Sequence, residues 1–299
     1  MHKLFILNLS MLFWYRIFYG FCRLLALLPL RCLYLLSDLL FVLVCYVVRY
    51  RRKVVLENLR NSFPEKTERE RRQIARKFYR FLCDIFIETV KLTNIDIPQI
   101  RRRMHYSNPE IFDELYRKGK QIFVVAGHYG NWEWFATLEH TIPYHHATLY
   151  RPLENALFDK FFYNLRTKFG ADATPSNTVV RAINRYQQEG RMTALGFMSD
   201  QSPHRDAIHY WTNFLNQDTP MYLGIEKLAR RYNTAVVYFE IRRLKRGYYE
   251  VDVTLIAENA AETGETEITE KHVRLLEQSI RRNPQYWLWS HRRWKHRRI

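Results

Sequence analysis

The chain has 299 residues, enough for one large globular domain and an appendage, and its 47 Lys and Arg against 30 Asp and Glu give a formal net charge of +17. Such a basic balance indicates a polyanionic partner: nucleic acid, an anionic membrane surface, or an acidic protein or substrate. The sequence has neither zinc-finger spacing nor an aromatic RNA-binding motif, so nucleic acid is set aside as a partner. Aromatic residues reach 15% of the chain and many flank basic ones, which suits a membrane interface.

The N-terminal region is the most apolar part of the chain. Residues 11–30 carry Arg16 and Arg23, which predicts an amphipathic segment, whereas residues 33–48 are almost wholly apolar but contain Asp38. The second segment is a little short for a membrane span, which needs about 20 residues, and a carboxylate is costly in hydrocarbon. Two arrangements stay open: one tilted span, or a helical hairpin embedded in one leaflet. A buried core helix of a soluble protein is the alternative.

A basic cluster, Arg49-Tyr50-Arg51-Arg52-Lys53, follows this apolar region directly. Positive charge beside an apolar segment marks the cytoplasmic side of a membrane, and it attracts anionic lipid headgroups. We therefore predict a membrane-anchoring helical region over residues 1–52 and a globular domain over residues 53–299, which lies against the cytoplasmic face.

The cysteines fit a reducing compartment. There are four, none forms a C-x-x-C pair, and three lie in the apolar N-terminal region: Cys22, Cys32, Cys45 and Cys83. We predict that they are small buried residues, outside any disulfide or metal site.

A helix with a clear start follows the basic cluster. Thr67 and Glu70 have the spacing of a capping box, shortly after Pro64. Apolar residues then recur at helical spacing: Ile74, Phe78, Leu82, Ile85, Phe86 and Thr89. Such a stripe is more often core than a groove for a substrate chain.

From about residue 110, predicted strands and helices alternate. The predicted strands are 122–126, 147–150, 192–198, 235–241 and 249–256, and the predicted helices are 109–118, 131–140, 154–169, 178–188, 221–231 and 265–281. Alternation of this kind indicates an α/β fold with a central, largely parallel sheet flanked by helices.

The most informative motif ends the first of these strands. The run Gly127-His128-Tyr129-Gly130-Asn131-Trp132-Glu133 sets a histidine at the mouth of a sheet and a carboxylate five residues later. A carboxylate in this position can hold a neutral histidine in the tautomer that takes a proton from a hydroxyl. No serine or cysteine stands nearby as a nucleophile, so the motif indicates direct attack by an activated substrate hydroxyl. The alternative is a structural histidine held by backbone groups.

The H-x4-E pattern resembles the H-x4-D/E signature of membrane acyltransferases, and the fuller run resembles the lipid A late acyltransferases, the lauroyl and myristoyl transferases. Three further blocks extend the resemblance over most of the chain: 150–170, 198–220 and 283–295. The third is similar to the family ending P-x-x-Y-x-W-x-H-R-R-W-K and is the most specific match. Its tryptophans beside basic residues predict a surface segment for a membrane interface or an acidic carrier protein.

The resemblance also implies site residues beyond the histidine motif. An arginine at about the distance of Arg166 is implicated in activity in this family, and Arg151 is a weaker candidate. A guanidinium suits a phosphate or a developing oxyanion. Asp200 either orients a catalytic group or caps a turn. The loop 214–219 departs from the family pattern, which leaves acceptor and chain-length specificity open.

The reaction that the resemblance implies is transfer of a fatty acyl group from a thioester, on acyl carrier protein, to a hydroxyl of a lipid A precursor. His128 would act as general base and Glu133 would orient it, without a metal or an organic cofactor. The partners would be acyl carrier protein, anionic membrane lipids and the glycolipid acceptor, at the cytoplasmic face of a bacterial inner membrane. The alternatives are an acyltransferase for another lipid acceptor (a lysophospholipid, an aminolipid or another glycolipid) and a non-enzymatic polyanion-binding protein with a structural His128.

Overall fold

The computed structural model describes the backbone of residues 2–298 and the side chains of residues 12–298. The helices are α1 (His2–Leu27), α2 (Leu30–Val42, continued by a π-helical turn, Leu43–Val47), α3 (Arg52–Ser62), α4 (Glu68–Lys91), α5 (Ile97–Arg101), α6 (Glu110–Arg117), a 3₁₀ helix (Trp132–His140), α7 (Ala156–Thr167), α8 (Val179–Gln188), α9 (Gly224–Tyr232) and α10 (Glu267–Arg282). The strands are β1 (Met104–Tyr106), β2 (Ile122–Ala126), β3 (His145–Tyr150), β4 (Asp172–Pro175), β5 (Thr193–Met198), β6 (Tyr210–Phe214), β7 (Gln217–Met221), β8 (Ala235–Lys245) and β9 (Tyr248–Ala257).

Seven strands form one sheet in the order β1-β9-β8-β2-β5-β3-β4. Every neighbouring pair is parallel except β8 and β9, which form an antiparallel pair. The predicted α/β fold with a largely parallel central sheet is therefore confirmed. At the centre, β2 and β5 pair in a register that sets Ala126 beside Met198, the last residue of each strand. The loops that follow these two strands consequently begin side by side.

Both faces of the sheet are covered, so β2 is buried along its whole length. Phe123 and Val125 contribute to a core that also contains residues of α8, α9 and α10. Ile122, Val124 and Ala126 contribute to the core on the other face, with residues of α1, α5, α6, α7 and the 3₁₀ helix. A continuous apolar run is what a strand between two helical layers requires.

The structure differs from the sequence prediction between residues 210 and 221. A helix was expected to begin at Met221, but residues 217–221 form β7, which pairs antiparallel with β6, and α9 begins only at Gly224. Leu215 and Asn216, with φ of 52° and 62°, make the two-residue turn between these strands. Positive φ at both turn residues is the geometry that matches the twist of a hairpin.

The N-terminal helices pack on the globular body. Residues of α2 contact α4 most extensively, and α1 contacts both α4 and α7. By length and composition alone, Leu30–Val47 could cross a membrane, a test that core helices of soluble proteins and signal sequences also pass. Cys22 and Cys83 are buried as predicted, but Cys32 is exposed, so the prediction is wrong for that residue.

Candidate active site

His128 and Asp200 meet at the carboxyl edge of the sheet. Each stands two residues beyond the end of its strand, and the β2–β5 register brings the two loops together. The His128 Nδ1 atom lies 2.6 Å from Asp200 Oδ1. Asp200 Oδ2 accepts two further hydrogen bonds, from the His128 backbone N–H at 2.9 Å and from Trp287 Nε1 at 2.7 Å. The carboxylate is thereby fixed from three directions, with only 3% of its side chain exposed.

These contacts define the protonation state of the site. Burial would raise the pKa of Asp200, but the electrostatic interaction with the His128 ring and the hydrogen bonds from His128 and Trp287 outweigh it and lower this pKa to about 2. An ionised Asp200 at Nδ1 holds the ring proton there, which leaves the lone pair on Nε2. The Nε2 atom accepts from the side-chain amide of Gln201 at 3.3 Å. With the ring proton on Nδ1, Nε2 is the atom of His128 that can accept a proton.

Glu133, predicted to orient His128, is bonded elsewhere. Its Oε1 atom accepts from Trp132 Nε1 at 3.1 Å and lies 3.3 Å from Arg166 Nη2. The Trp132 ring packs edge-on against the His128 ring, with 5.2 Å between centroids, so the indole contacts both residues. The carboxylate hydrogen-bonded to His128 is Asp200 rather than Glu133, which corrects the pairing expected from H-x4-E spacing.

Arg166 is brought to the site by α7 and is held on two sides. Besides its ion pair with Glu133, its guanidinium carbon lies 5.3 Å from the Phe162 ring centroid and 5.8 Å from that of Tyr150. Its side chain is 22% exposed, which leaves part of the guanidinium open to solvent. Arg151, by contrast, is exposed and forms no hydrogen bond or ion pair with another site residue in the part of the chain that the structure describes.

The tryptophan-rich C-terminal segment is a support of the site. Residues 286–288 pair with the histidine loop: Gly130 donates to the Tyr286 carbonyl at 3.0 Å, and the Leu288 N–H donates to the His128 carbonyl at 3.1 Å. Trp287 and Trp289 are 2% and 0% exposed. The expectation of a surface segment is therefore wrong for these two indoles, because they pack in the core and Trp287 also donates to Asp200.

The two glycines of the motif are required by close contacts. A Cβ atom at Gly127 would stand 2.7 Å from Leu276 Cδ1 and 3.4 Å from Asp200 Oδ2. Gly130 has a φ of 68°, and a Cβ atom there would stand 2.6 Å from Ile241. A side chain at Gly130 would therefore displace the loop that carries His128, whereas one at Gly127 would have to push aside the end of the Leu276 side chain.

A buried glutamate of α4, which sequence reasoning missed, holds the middle of the motif. Glu88 is fully buried and accepts from Asn131 Nδ2 at 2.6 Å, from Tyr249 at 2.7 Å and from Tyr34 at 2.8 Å. Burial raises its pKa to about 6, against the lowering effect of the tyrosine hydrogen bonds. A glutamate within the apolar stripe of a helix is a sequence signal for a buried polar site. The partners of Glu88 could not be predicted in the same way, because they lie far away in sequence. Gln201 and Trp287 lie within the blocks 198–220 and 283–295, but nothing in the local sequence links Gln201 to His128 or Trp287 to Asp200.

Comparison with known proteins identifies the family of the chain. The sequence profile described as bacterial lipid A biosynthesis acyltransferase matches residues 4–296. A Haemophilus influenzae protein, named lipid A biosynthesis acyltransferase, is 20% identical over 241 residues, which cover 80% of this chain and 74% of that protein. The profile match includes the N-terminal helices, every site residue described above and the C-terminal segment.

Proposed function

The chain belongs to the bacterial lipid A biosynthesis acyltransferase family, and we propose that it moves a fatty acyl group from a thioester to a hydroxyl of a lipid A precursor at a membrane. Its membership makes it an acyltransferase; the donor, the acceptor group and the chemical steps are the proposal. The observation that carries the mechanism is the Asp200–His128 pair, which leaves Nε2 of His128 as an accepting atom.

His128 acts as the general base. Its Nε2 atom takes the proton of the acceptor hydroxyl while the oxygen attacks the thioester carbonyl carbon. The tetrahedral intermediate then collapses, the C–S bond breaks, and the proton on Nε2 passes to the departing thiolate. Asp200 stabilises the imidazolium that forms in between. A positioned base of this kind contributes roughly 10²–10⁴-fold to the rate.

Arg166 stabilises the developing oxyanion. Its Nη2 atom is held by Glu133 and its plane by the rings of Phe162 and Tyr150, so the guanidinium needs little reorganisation during the reaction. In this assignment Glu133 positions Arg166. The exposed Arg151, at the end of β3, is free to bind a phosphate of the glycolipid.

The donor is acyl carrier protein, which docks on a basic cleft beside the Asp200 loop. The cleft has a volume of about 580 Å³ and is lined by four Lys or Arg side chains, one histidine and two apolar side chains: Arg205, Lys295, Arg297, Arg298, His296, Ile208 and Trp211. Cations around an apolar floor complement an acidic protein that presents an acyl chain. Arg205→Glu with Lys295→Glu should raise KM for acyl carrier protein thioester and leave KM for acyl-pantetheine unchanged.

The direct test is transfer of a labelled acyl group from acyl carrier protein to a lipid A precursor in detergent. His128→Ala should abolish transfer with the fold retained. His105→Ala, a substitution of an exposed histidine on β1, serves as the matched control and should keep wild-type activity. Wild-type turnover in His128→Ala would refute the mechanism. Absence of transfer by wild type would move the acceptor to another lipid, and lysophospholipids, aminolipids and other glycolipids would be tried next.

Membrane association at the cytoplasmic face of the inner membrane is part of the same proposal. The family acts on lipid A, whose precursors carry acyl chains, and the cluster Arg49–Lys53 is exposed at the end of the π-helical turn. Exposed cations next to an apolar helix bind anionic headgroups and mark the cytoplasmic side.

A further inference from the structure

The N-terminal helices turn an apolar face away from the body of the protein. Large side chains at helical spacing on α1 and on the α2 segment are between 43% and 72% exposed: Phe13, Trp14, Ile17, Phe21, Leu24, Leu27, Leu28, Leu35, Leu39, Val42, Leu43, Tyr46, Val47 and Val48. Large apolar residues that are exposed singly are ordinary on a soluble protein, whereas so many on two adjacent helices mark a surface that another partner covers. We call this surface the apolar face.

Three polar residues of α2, Tyr34, Ser37 and Asp38, are paired with residues of the globular body. Ser37 donates to Asp84 Oδ1 at 2.7 Å, and Tyr34 donates to Glu88 at 2.8 Å. Asp38, the carboxylate that makes α2 unusual as a span, forms an ion pair with Arg246 at 2.9 Å. The charge that a membrane would oppose is therefore neutralised on the protein side of the helix.

These contacts show that α2 runs antiparallel beside α4 over most of its length. Near its start, Lys91 Nζ donates to the carbonyl of Leu28 at 3.0 Å. Just beyond the π-helical turn, Tyr79 donates to the carbonyl of Tyr50 at 2.7 Å. Between these ends, the guanidinium of Arg80 lies 5.1 Å from the Phe41 ring centroid. α2 therefore cannot enter the membrane without α4.

If α2 spanned the membrane, the charged residues that pack beside it would also lie inside the bilayer. Asp84, Arg243 and Arg246 form a network of ion pairs against the buried side of α2, with Asp84 1% exposed. Arg80, beside the same helix, is 57% exposed. An exposed cation such as Arg80, and the turn between β8 and β9 that carries Arg246, do not lie at hydrocarbon depth, because lipid cannot replace the water around them. Of the two arrangements that the sequence left open, a span by α2 conflicts with its packing.

We propose that α1 and α2 lie in the plane of one membrane leaflet, with the apolar face in the acyl chains of anionic lipid. The inference rests on the proposed function in taking a membrane as the partner. Between residues 12 and 53 the chain has one carboxylate, Asp38, and seven cations, all of them exposed: Arg16, Arg23, Arg31, Arg49, Arg51, Arg52 and Lys53. An apolar stripe flanked by cations is the composition of helices that lie in an anionic interface.

The membrane-facing helix α2 is connected to the active site through Glu88. Glu88 accepts from Tyr34 of α2 with one carboxylate oxygen and from Asn131 of the histidine motif with the other. The helix that rests in lipid and the segment that carries Glu133 are therefore two hydrogen bonds apart. The acceptor, itself a lipid of the leaflet, meets a site whose height above the membrane is set by α2.

Depth measurement with spin labels tests the proposal. Single cysteines would replace exposed residues of the apolar face in a chain with Cys32 and Cys45 changed to Ser, and the labelled full-length protein would be bound to vesicles of phosphatidylethanolamine and phosphatidylglycerol. The positions are Trp14, Leu24, Leu28, Leu35, Leu39 and Val47. We expect every label at a similar depth, about 5–10 Å below the headgroups. Val180→Cys, exposed on α8, is the matched control and should stay in water.

Two results would overturn the proposal. A span would place the labels at Leu28 and Val47 at opposite interfaces, about 28 Å apart along the membrane normal, with Leu35 and Leu39 near the midplane. Labels that never enter lipid would show that the apolar face is covered by another partner, such as a second copy of the chain. Acyl transfer by the same labelled proteins would be assayed separately, so a failure of the proposed reaction leaves the depth profile readable.

Discussion

Replacing Asp200 by asparagine tests the protonation state on which the mechanism depends. In the wild type, Oδ2 accepts from two N–H groups and Oδ1 from one, Nδ1 of His128. The asparagine oxygen will take the side with two donors, because the reverse orientation sets an NH₂ group against both of them. Its NH₂ group then faces Nδ1, which must become an acceptor. The ring proton moves to Nε2, and the base is lost.

The magnitude follows from this change of tautomer. Losing a general base lowers kcat roughly 10²–10⁴-fold, and we expect Asp200→Asn to fall in this range. KM should change little, since Asp200 is buried and contacts protein atoms. A pKa of about 2 in the folded chain, against an ordinary value of 3.8, stabilises the fold by about 2 kcal/mol above pH 4, and this stabilisation is lost as pH falls through 2. Asparagine should therefore lower stability at neutral pH by a similar amount.

The assay combines kinetics with a direct reading of the ring. Acyl transfer would be measured beside Asp206→Asn, the matched control on the same loop, whose carboxylate is 90% exposed. Nitrogen-15 NMR of His128 should show the neutral proton on Nδ1 in the wild type and on Nε2 in Asp200→Asn. Activity within threefold of wild type, or an unchanged tautomer, would refute the reasoning.

Three further outcomes follow from the site. Trp287→Phe removes one hydrogen bond from Asp200 while keeping an aromatic ring, so kcat should fall roughly 5–20-fold, the equivalent of about 1–2 kcal/mol, with KM unchanged in steady-state kinetics. Gly127→Ala forces Leu276 or Asp200 to move, and its thermal midpoint should drop by several degrees, a loss of about 1–3 kcal/mol, with activity lost in parallel. Glu88, with a folded pKa of about 6 raised from 4.5, favours the fold most below pH 4.5, and about 2 kcal/mol of this stability is lost as pH rises through 6. Urea titrations between pH 5 and 7 should show that slope in wild type and its absence in Glu88→Gln; equal slopes would contradict the assignment.

The central strands could be predicted because their apolar runs are long and bounded. Ile122–Ala126 was predicted to the residue, and the other central strands began or ended within a few residues of the prediction. The short strands Met104–Tyr106 and Asp172–Pro175 were missed, because three or four residues give no period to read. The central strands could therefore be predicted from local sequence alone, without knowledge of the strands beside them.

The partner of His128 could not be derived from local spacing. H-x4-E favours Glu133, the nearest carboxylate in sequence, whereas the observed partner is Asp200, 72 residues away. Only the register of β2 against β5 brings that carboxylate to the ring, and register is a property of the assembled sheet. The positive φ of Gly130 and the 3₁₀ geometry that follows it then place Glu133 beside Arg166.

The C-terminal tryptophans were misjudged for a related reason. Indoles beside arginines are typical of an interface when only composition is considered. In the fold, Trp287 and Trp289 fill the core, and Arg293 is buried with them. Composition shows which environments a tryptophan can occupy, whereas the packing of the fold decides whether it is buried or exposed.

The pairing of residues 286–288 with the histidine loop has a consequence for how the enzyme comes into being. These residues are translated after His128, Glu133, Arg166 and Asp200, yet they fix the loop that carries His128 and supply the indole that holds Asp200. A nascent chain that lacks residues 286–288 therefore carries all the reactive groups without their alignment. The alignment on which the proposed acyl transfer depends is therefore complete only once residues 286–288 have been added, so a chain that stops before residue 286 should be inactive.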